Sequence, residues 1–170
     1  MEPKSSRDFT FAWATPGDAE LLADMRLAMR RERETRPCPM DEAEFRSRNT
    51  EFFRRALADG SFLSCVAWAG SEAAACSGLS LELHPPTYGN PGGRIGYVTN
   101  MYTRPAWRKR GLAGMLLERL VAEAARRGCT QIELNAAPMA RQLYLAHGFR
   151  PVDGEMRLEL ADGTAAPVIS

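Results

Sequence analysis

Apolar and polar positions along the chain alternate in two rhythms, one of period 2 and one of period 3.6, and their order predicts the elements. "FTFAW" (9–13) alternates weakly and predicts a first strand. Thr15 can cap the helix that follows, with Pro16 at its first position and Asp18 as a capping-box acid. Leu21, Leu22, Met25, Ala28 and Met29 give that helix an apolar stripe, and the prolines of "RRERETRPCP" end it. A second helix starts near Asp41, with Glu44 three residues on, and turns Phe45, Phe52 and Ala56 inward. "SFLSCVAWAG" and "AAACSGLSLELH" predict a hairpin turning at Gly70–Ser71. Phe62, Val66 and Trp68 would share one face with Leu79, Leu81 and Leu83. "PPTYGNPGG" (85–93) predicts a mobile loop, and "RIGYVTNMYT" a strand stopped by Pro105.

The clearest helix is 111–127. Leu112, Met115, Leu116, Leu120, Val121 and Ala124 form its stripe, Arg119, Glu123 and Arg127 pair at i,i+4 opposite, and Gly128 caps its end. "TQIELNA" is the next strand, and Pro138 opens a short helix that runs through His147 to Gly148. "MRLEL" predicts a last strand and "ADGTAAPVIS" a loose tail. The order β-α-α-β-β-β-α-β-α-β describes an α/β fold, helices flanking a single mixed, largely antiparallel sheet. Residues 1–160 form one domain, and 161–170 the tail.

Length and composition narrow the function classes. A chain of 170 residues with 45% hydrophobic and 25% charged content suits one domain that needs no staples. Its net charge of +1 recruits neither nucleic acid nor a membrane surface. No apolar run approaches the ~20 residues of a spanning helix, and "MEPKSSRDF" lacks the apolar stretch of a secretory signal, so a cytoplasmic location is expected. Four cysteines, Cys38, Cys65, Cys76 and Cys129, show no metal-ligand spacing, and no metal is expected. Cys65 and Cys76 each lie five residues from the Gly70–Ser71 turn and would face each other, although reduced thiols suit the expected compartment.

Against that neutral background, Arg104, Arg108, Lys109 and Arg110 gather just before the long helix. The first amides of a helix lack intrahelical acceptors and stand at the positive end of its dipole. A phosphate placed there gains several N–H bonds, and Gly111 and Ala113 leave room for its approach. The segment is neither a Walker A loop nor a dinucleotide fingerprint, whose glycines are missing.

R-x-x-G-x-A after "VTNMYTRP", then a long amphipathic helix, a strand ending in Asn135 and "RQLYLAHGF", resembles the GCN5-related N-acetyltransferase family over about residues 95–150. The resemblance implies the acyl-CoA N-acyltransferase fold, with acetyl-CoA as co-substrate. It places Arg108, Gly111 and Ala113 on the motif, with Lys109, Arg110, Leu112 and Gly114 adding amides around the pyrophosphate. It likewise places backbone groups of Met101 and Thr103 on the pantetheine arm, an amide near Met101 on the thioester carbonyl, and Asn135 on the far side of the cleft. Tyr144, of Y-x-x-x-G-F, would protonate the departing thiolate. A phenol of pKa ~10 stays protonated at neutral pH and can do so.

The strand carboxylate that some relatives use as a base is missing from 95–103, where Tyr97 stands near its position. Glu82 and His84 are candidates, each more simply a solvated strand-end residue. The implied function is acetyl transfer to a primary amine, from a small molecule or a peptide, by direct attack in a ternary complex. A non-catalytic CoA-binding module of the same fold is the alternative, and a homodimer is open to either.

Overall fold

Thr15 starts the helical layer as its spacing predicts. Its backbone N–H donates to Asp18 Oδ2 at 2.7 Å and its hydroxyl to the same oxygen at 2.9 Å. A single 3-10 turn, Pro16–Asp18, then leads into α1, Ala19–Arg33. Asp41 caps α2, Glu42–Asp59, by accepting the Glu44 N–H at 2.7 Å. The computed structural model describes residues 9–34, 40–154 and 156. Cys38, the tail and all of "MRLEL" beyond Met156 lie outside the described residues.

One mixed sheet carries β1 (Thr10–Trp13), β2 (Phe62–Leu63), β3 (Cys65–Ala69), β4 (Glu72–Leu83), β5 (Arg94–Thr103) and β6 (Gln131–Leu134). Its order is β1-β3-β4-β5-β6, with β2 also on β4. Every pairing is antiparallel except β5 with β6. Helix α3, Leu112–Arg126, joins those two strands, and α4, Arg141–Ala146, follows β6. Among the described residues no helix is long and apolar enough to cross a membrane.

Helices α1 and α2 cover one face of the sheet, where Leu22, Met25, Phe53, Phe62, Val66 and Cys76 form a cluster. Helix α3 covers the other with Leu112, Leu116, Leu117 and Leu120. The hairpin turns at Gly70–Ser71, since Ala69 pairs with Glu72, but a bulge between Ala67 and Trp68 then slips the register. Cys76 therefore pairs with Val66, and a one-residue slip sends Cys65 to the opposite face. Both thiols are free and lie in different clusters. The expected shared face of the hairpin fails for the same geometric reason. Leu79 pairs with Leu63 rather than Phe62, so Leu79 and Leu81 pack on the α3 side, and Leu83 is exposed. The turn-rich loop after β4 is closed by Asn90, whose side chain donates to Arg94 O at 3.2 Å.

Two features of β5 prepare the site. It gains one residue against β4 between the pairs Gly78–Thr99 and Cys76–Tyr102, a bulge at which Asn100 takes a left-handed φ of 52°. Its parallel pairing with β6 stops at Val98–Leu134, whereas β5 continues to Thr103. The two strands are unpaired beyond that point.

Gly78 lets Phe62 pass over the sheet beside this bulge. A Cβ there would lie 2.5 Å from Phe62 Cζ and 3.0 Å from Thr99 O. Gly78→Ala is expected to destabilise the protein by about 1–3 kcal/mol, read as a lowered melting temperature. An unchanged Tm would show that the approach is not tight.

Candidate functional site

Where β5 and β6 part, a cavity of about 480 Å³ opens, walled by β5, the start of α3, α4 and the end of α1. Of the expected site residues, Met101, Thr103, Arg108, Lys109, Gly111, Leu112, Ala113 and Gly114 line it together, and Arg110 and Asn135 do not. The bulge beneath is held from α1 and β4. Arg26 Nη1 donates to Asn100 Oδ1 at 3.5 Å, and the Cys76 thiol donates to Asn100 O at 3.4 Å.

The chain enters α3 through two left-handed residues, Lys109 (φ 60°) and Gly111 (φ 76°). Gly111 is needed for that φ rather than for space, because a Cβ there would meet nothing closer than Met115 Cε at 3.8 Å. The Met115 N–H donates to Gly111 O at 3.1 Å, which leaves the amides of Leu112, Ala113 and Gly114 without helical acceptors at the cavity wall. Left-handed turns followed by free helix amides form an anion-holding concavity.

The gathered cations have a different arrangement from the one their spacing suggests. Arg104 Nε donates to Ala73 O at 2.8 Å, on β4. Arg110 lies over the Trp107 ring, 5.1 Å from its centroid. Arg108 Nε donates to Thr103 O at 3.0 Å, and its Nη2 donates to Glu32 Oε2. Lys109 alone of the four has no partner among the described residues. Trp107 packs edge-on against Phe9, with centroids 5.6 Å apart, and donates to Glu72 Oε1 at 3.1 Å.

Glu32 was not singled out by its spacing to any motif, yet it reaches the cavity from the last turn of α1. Tyr102 Oη donates to its Oε1 at 2.7 Å while Arg108 occupies Oε2. The Tyr102 hydroxyl and then the Arg108 guanidinium hold this carboxyl below its ordinary value of 4.5. Burial, and then the facing carboxylate, push the Tyr102 phenol up to about 12. A signal was present in the sequence: Glu32 continues the stripe of Leu22, Met25 and Met29 toward the sheet.

Asn135 and Tyr144 line a second cavity, of about 390 Å³, on the β6 side of α4. Leu143 faces the first cavity. Tyr144 is buried, stands 5.7 Å edge-on to Phe149, and accepts a raised phenol pKa chiefly from burial; the charge of Arg33, from the first cavity's wall, opposes that rise. Glu82 and His84 hydrogen-bond to each other at 3.1 Å, and the β4 register places Glu82 opposite Ile95, at the other end of β5 from Thr99–Thr103. Neither lines the cavity. His147 accepts a packing role: its Nδ1 is 2.8 Å from Leu143 O, and its ring lies 3.3 Å from where a Gly114 Cβ would be.

The chain matches the acetyltransferase (GNAT) family over residues 22–149. Its structure is similar to a predicted acetyltransferase from Clostridium acetobutylicum solved with acetyl-CoA, at 31% identity and a TM-score of 0.82, covering 89% of this chain and 96% of that one. A GCN5-related N-acetyltransferase from Ralstonia eutropha is similar at 29% identity and TM-score 0.76, covering 89% and 98%. An aminoglycoside N-acetyltransferase in complex with CoA shares the fold at 15% identity and TM-score 0.70, covering 94% and 99%. No curated protein sequence matches.

Glu32→Gln keeps the shape of the tie between α1 and β5 but removes its charge. A depressed carboxyl contributes stability above its unfolded pKa and loses it as pH falls through the lower folded value. Wild type is therefore expected to melt above the variant at pH 7, by no more than a few degrees because the pair is partly exposed, with the gap closing toward pH 3. Melting curves that stay parallel across that range would refute a charged tie. Because the family match runs from the wall that Glu32 anchors, through the amide concavity, to the end of α4, the chain belongs to the GCN5-related N-acetyltransferase family, whose members transfer acetyl groups from acetyl-CoA.

Proposed function

We propose that this chain moves the acetyl group of acetyl-CoA onto a primary amine by direct attack, with both reactants bound at once. The observation that carries the reading is the amide concavity at the start of α3, opening into the gap where β5 leaves β6. The diphosphate is held chiefly by the amides of Leu112, Ala113 and Gly114 with those of the preceding turn, and by the Lys109 ammonium. Arg108 and Arg110 are engaged by Glu32 and Trp107, so they shape the concavity more than they charge it.

Backbone groups of Met101 and Thr103 pair with the pantetheine arm, and the Met101 amide stabilises the oxyanion as the amine nitrogen bonds to the carbonyl carbon. The C–S bond then breaks, and the sulfur takes a proton from Tyr144. The upward shift of that phenol suits an acid that must be protonated when the thiolate leaves. Asn135 lines the neighbouring cavity, with Tyr144, on the β6 side of α4. Among the described residues Glu32 is the one carboxylate lining the first cavity, and its two oxygens are already engaged. The amine therefore attacks from its free-base fraction, having lost its proton to solvent.

Three outcomes test this. Tyr144→Phe should lower kcat by about 10²–10⁴ while coenzyme affinity changes little, and a variant with full turnover would remove Tyr144 from the reaction. With an alkylamine, kcat/KM should climb with pH toward the amine's own pKa near ~10, without a descending limb from Tyr144 below that point. A plateau near neutrality would instead reveal a protein base. Lys109→Glu should weaken CoA by roughly tenfold more than a pantetheine analogue lacking the diphosphate, measured by calorimetry; equal losses would place the diphosphate elsewhere.

A further inference from the structure

Helix α1 has two electrostatic faces. Toward α2 its charges are matched: Arg46 donates to Asp24 at 2.5 Å and to Glu20 at 3.3 Å, and Arg31 meets Glu42 at 2.5 Å. Toward β5 they are not. Arg26 is half-buried over the bulge, and its one side-chain hydrogen bond among the described residues is to the neutral Asn100 Oδ1 at 3.5 Å. Arg33, two turns further along the same side and about 10 Å away, lines the cavity with no ion pair or hydrogen bond among the described residues. The carboxylate between them, Glu32, is taken by Arg108 and Tyr102.

Other described arginines are either exposed to solvent, as Arg54, Arg55, Arg94, Arg141 and Arg150 are, or have partners. Arg48, Arg126 and Arg127 have carboxylates, Arg104 a carbonyl, and Arg119 a carbonyl together with the Phe11 ring at 3.7 Å. Arg26 differs in being desolvated without an anion, and the like charge of Arg30 adds to the strain, so that both lower its pKa. It stands behind the cavity wall, on Asn100. Asn100 precedes Met101, and the Cys76 thiol that feels the Arg26 charge lines the same cavity.

We infer that the acceptor is an amine that also bears a carboxylate or phosphate group, and that Arg26, with Arg33 along the same side of α1, receives that anion. This rests on the acetyl-transfer reading above and names its substrate class. An anion there would supply the charge that Arg26 lacks and hold the amine beside Met101.

The test compares acceptors in matched pairs by thiol release from acetyl-CoA: amino acids against their amides, and amino-sugar phosphates against the free amino sugars. The anionic member of at least one series should show a kcat/KM about tenfold higher or more, and the series that responds identifies carboxylate or phosphate as the group recognised. Arg26→Gln should bring that ratio near one, whereas Arg26→Lys should retain part of it, with Tm confirming that each variant folds. If Arg26→Gln does not fold, the wild-type ratio and Arg26→Lys decide. Neutral or cationic members that do as well as anionic ones in both series would overturn the inference and leave acetyl transfer standing. If no amine releases thiol, acetyl transfer itself fails; calorimetry of the same pairs on the CoA-loaded protein then decides, tighter anionic binding upholding the anion site and equal binding overturning it.

Discussion

The parting of β5 from β6 is the constraint on which the rest of the structure depends. Parallel pairing holds from Ile95–Gln131 to Val98–Leu134 and then ends, although β5 runs on to Thr103. Inside a sheet, unpaired backbone groups are costly, so a strand that continues without its neighbour offers hydrogen bonds to whatever enters the gap. The bulge at Asn100 reinforces this by turning the last residues of β5 relative to the rest of the strand. Asn100 itself is buried and held from two sides, by Arg26 and by Cys76, which fixes a conformation that a side-chain-bearing residue adopts rarely.

The concavity beside that gap is made by the backbone more than by the basic residues around it. Arg104 secures β4, Arg110 covers Trp107 and Arg108 ties the loop to α1. The amides at the start of α3 are fixed by the fold and lose no side-chain entropy on binding, while long cationic side chains must be ordered. The arginines thus hold the shape in which the amides stand. Glu32 is part of the same arrangement, because a carboxylate shared by Tyr102 and Arg108 sets how close α1 can come to β5.

Helix α1 is consequently both core element and cleft wall. Its apolar residues Leu22, Ala23 and Met25 are fully buried against the sheet. Its carboxylates Glu20 and Asp24 are directed to α2, and its C-terminal half carries Glu32 and Arg33 to the cavity wall, with Arg26 behind them on Asn100.

Local chemistry was legible in the chain itself. The capping box at Thr15, the amphipathic stripe of α3, its glycine ends at Gly111 and Gly128, and the free amides after Gly111 follow from short-range sterics and hydrogen bonding, which act within a few residues. The stretch 108–114 that lines much of the first cavity was legible as a motif for the same reason, since it is continuous in sequence. Register was not: a single bulge between Ala67 and Trp68 separates Cys65 from Cys76, and the phase of β4 against β2 sends Leu79 to the α3 side. No local pattern encodes such a slip, because side chains alternate with period 2 and one inserted residue reverses every face beyond it. Charge pairing was not legible either. Glu32 and Arg108 stand 76 residues apart, and only the packing of α1 on β5 decides that one neutralises the other while Arg26 has no carboxylate partner among the described residues.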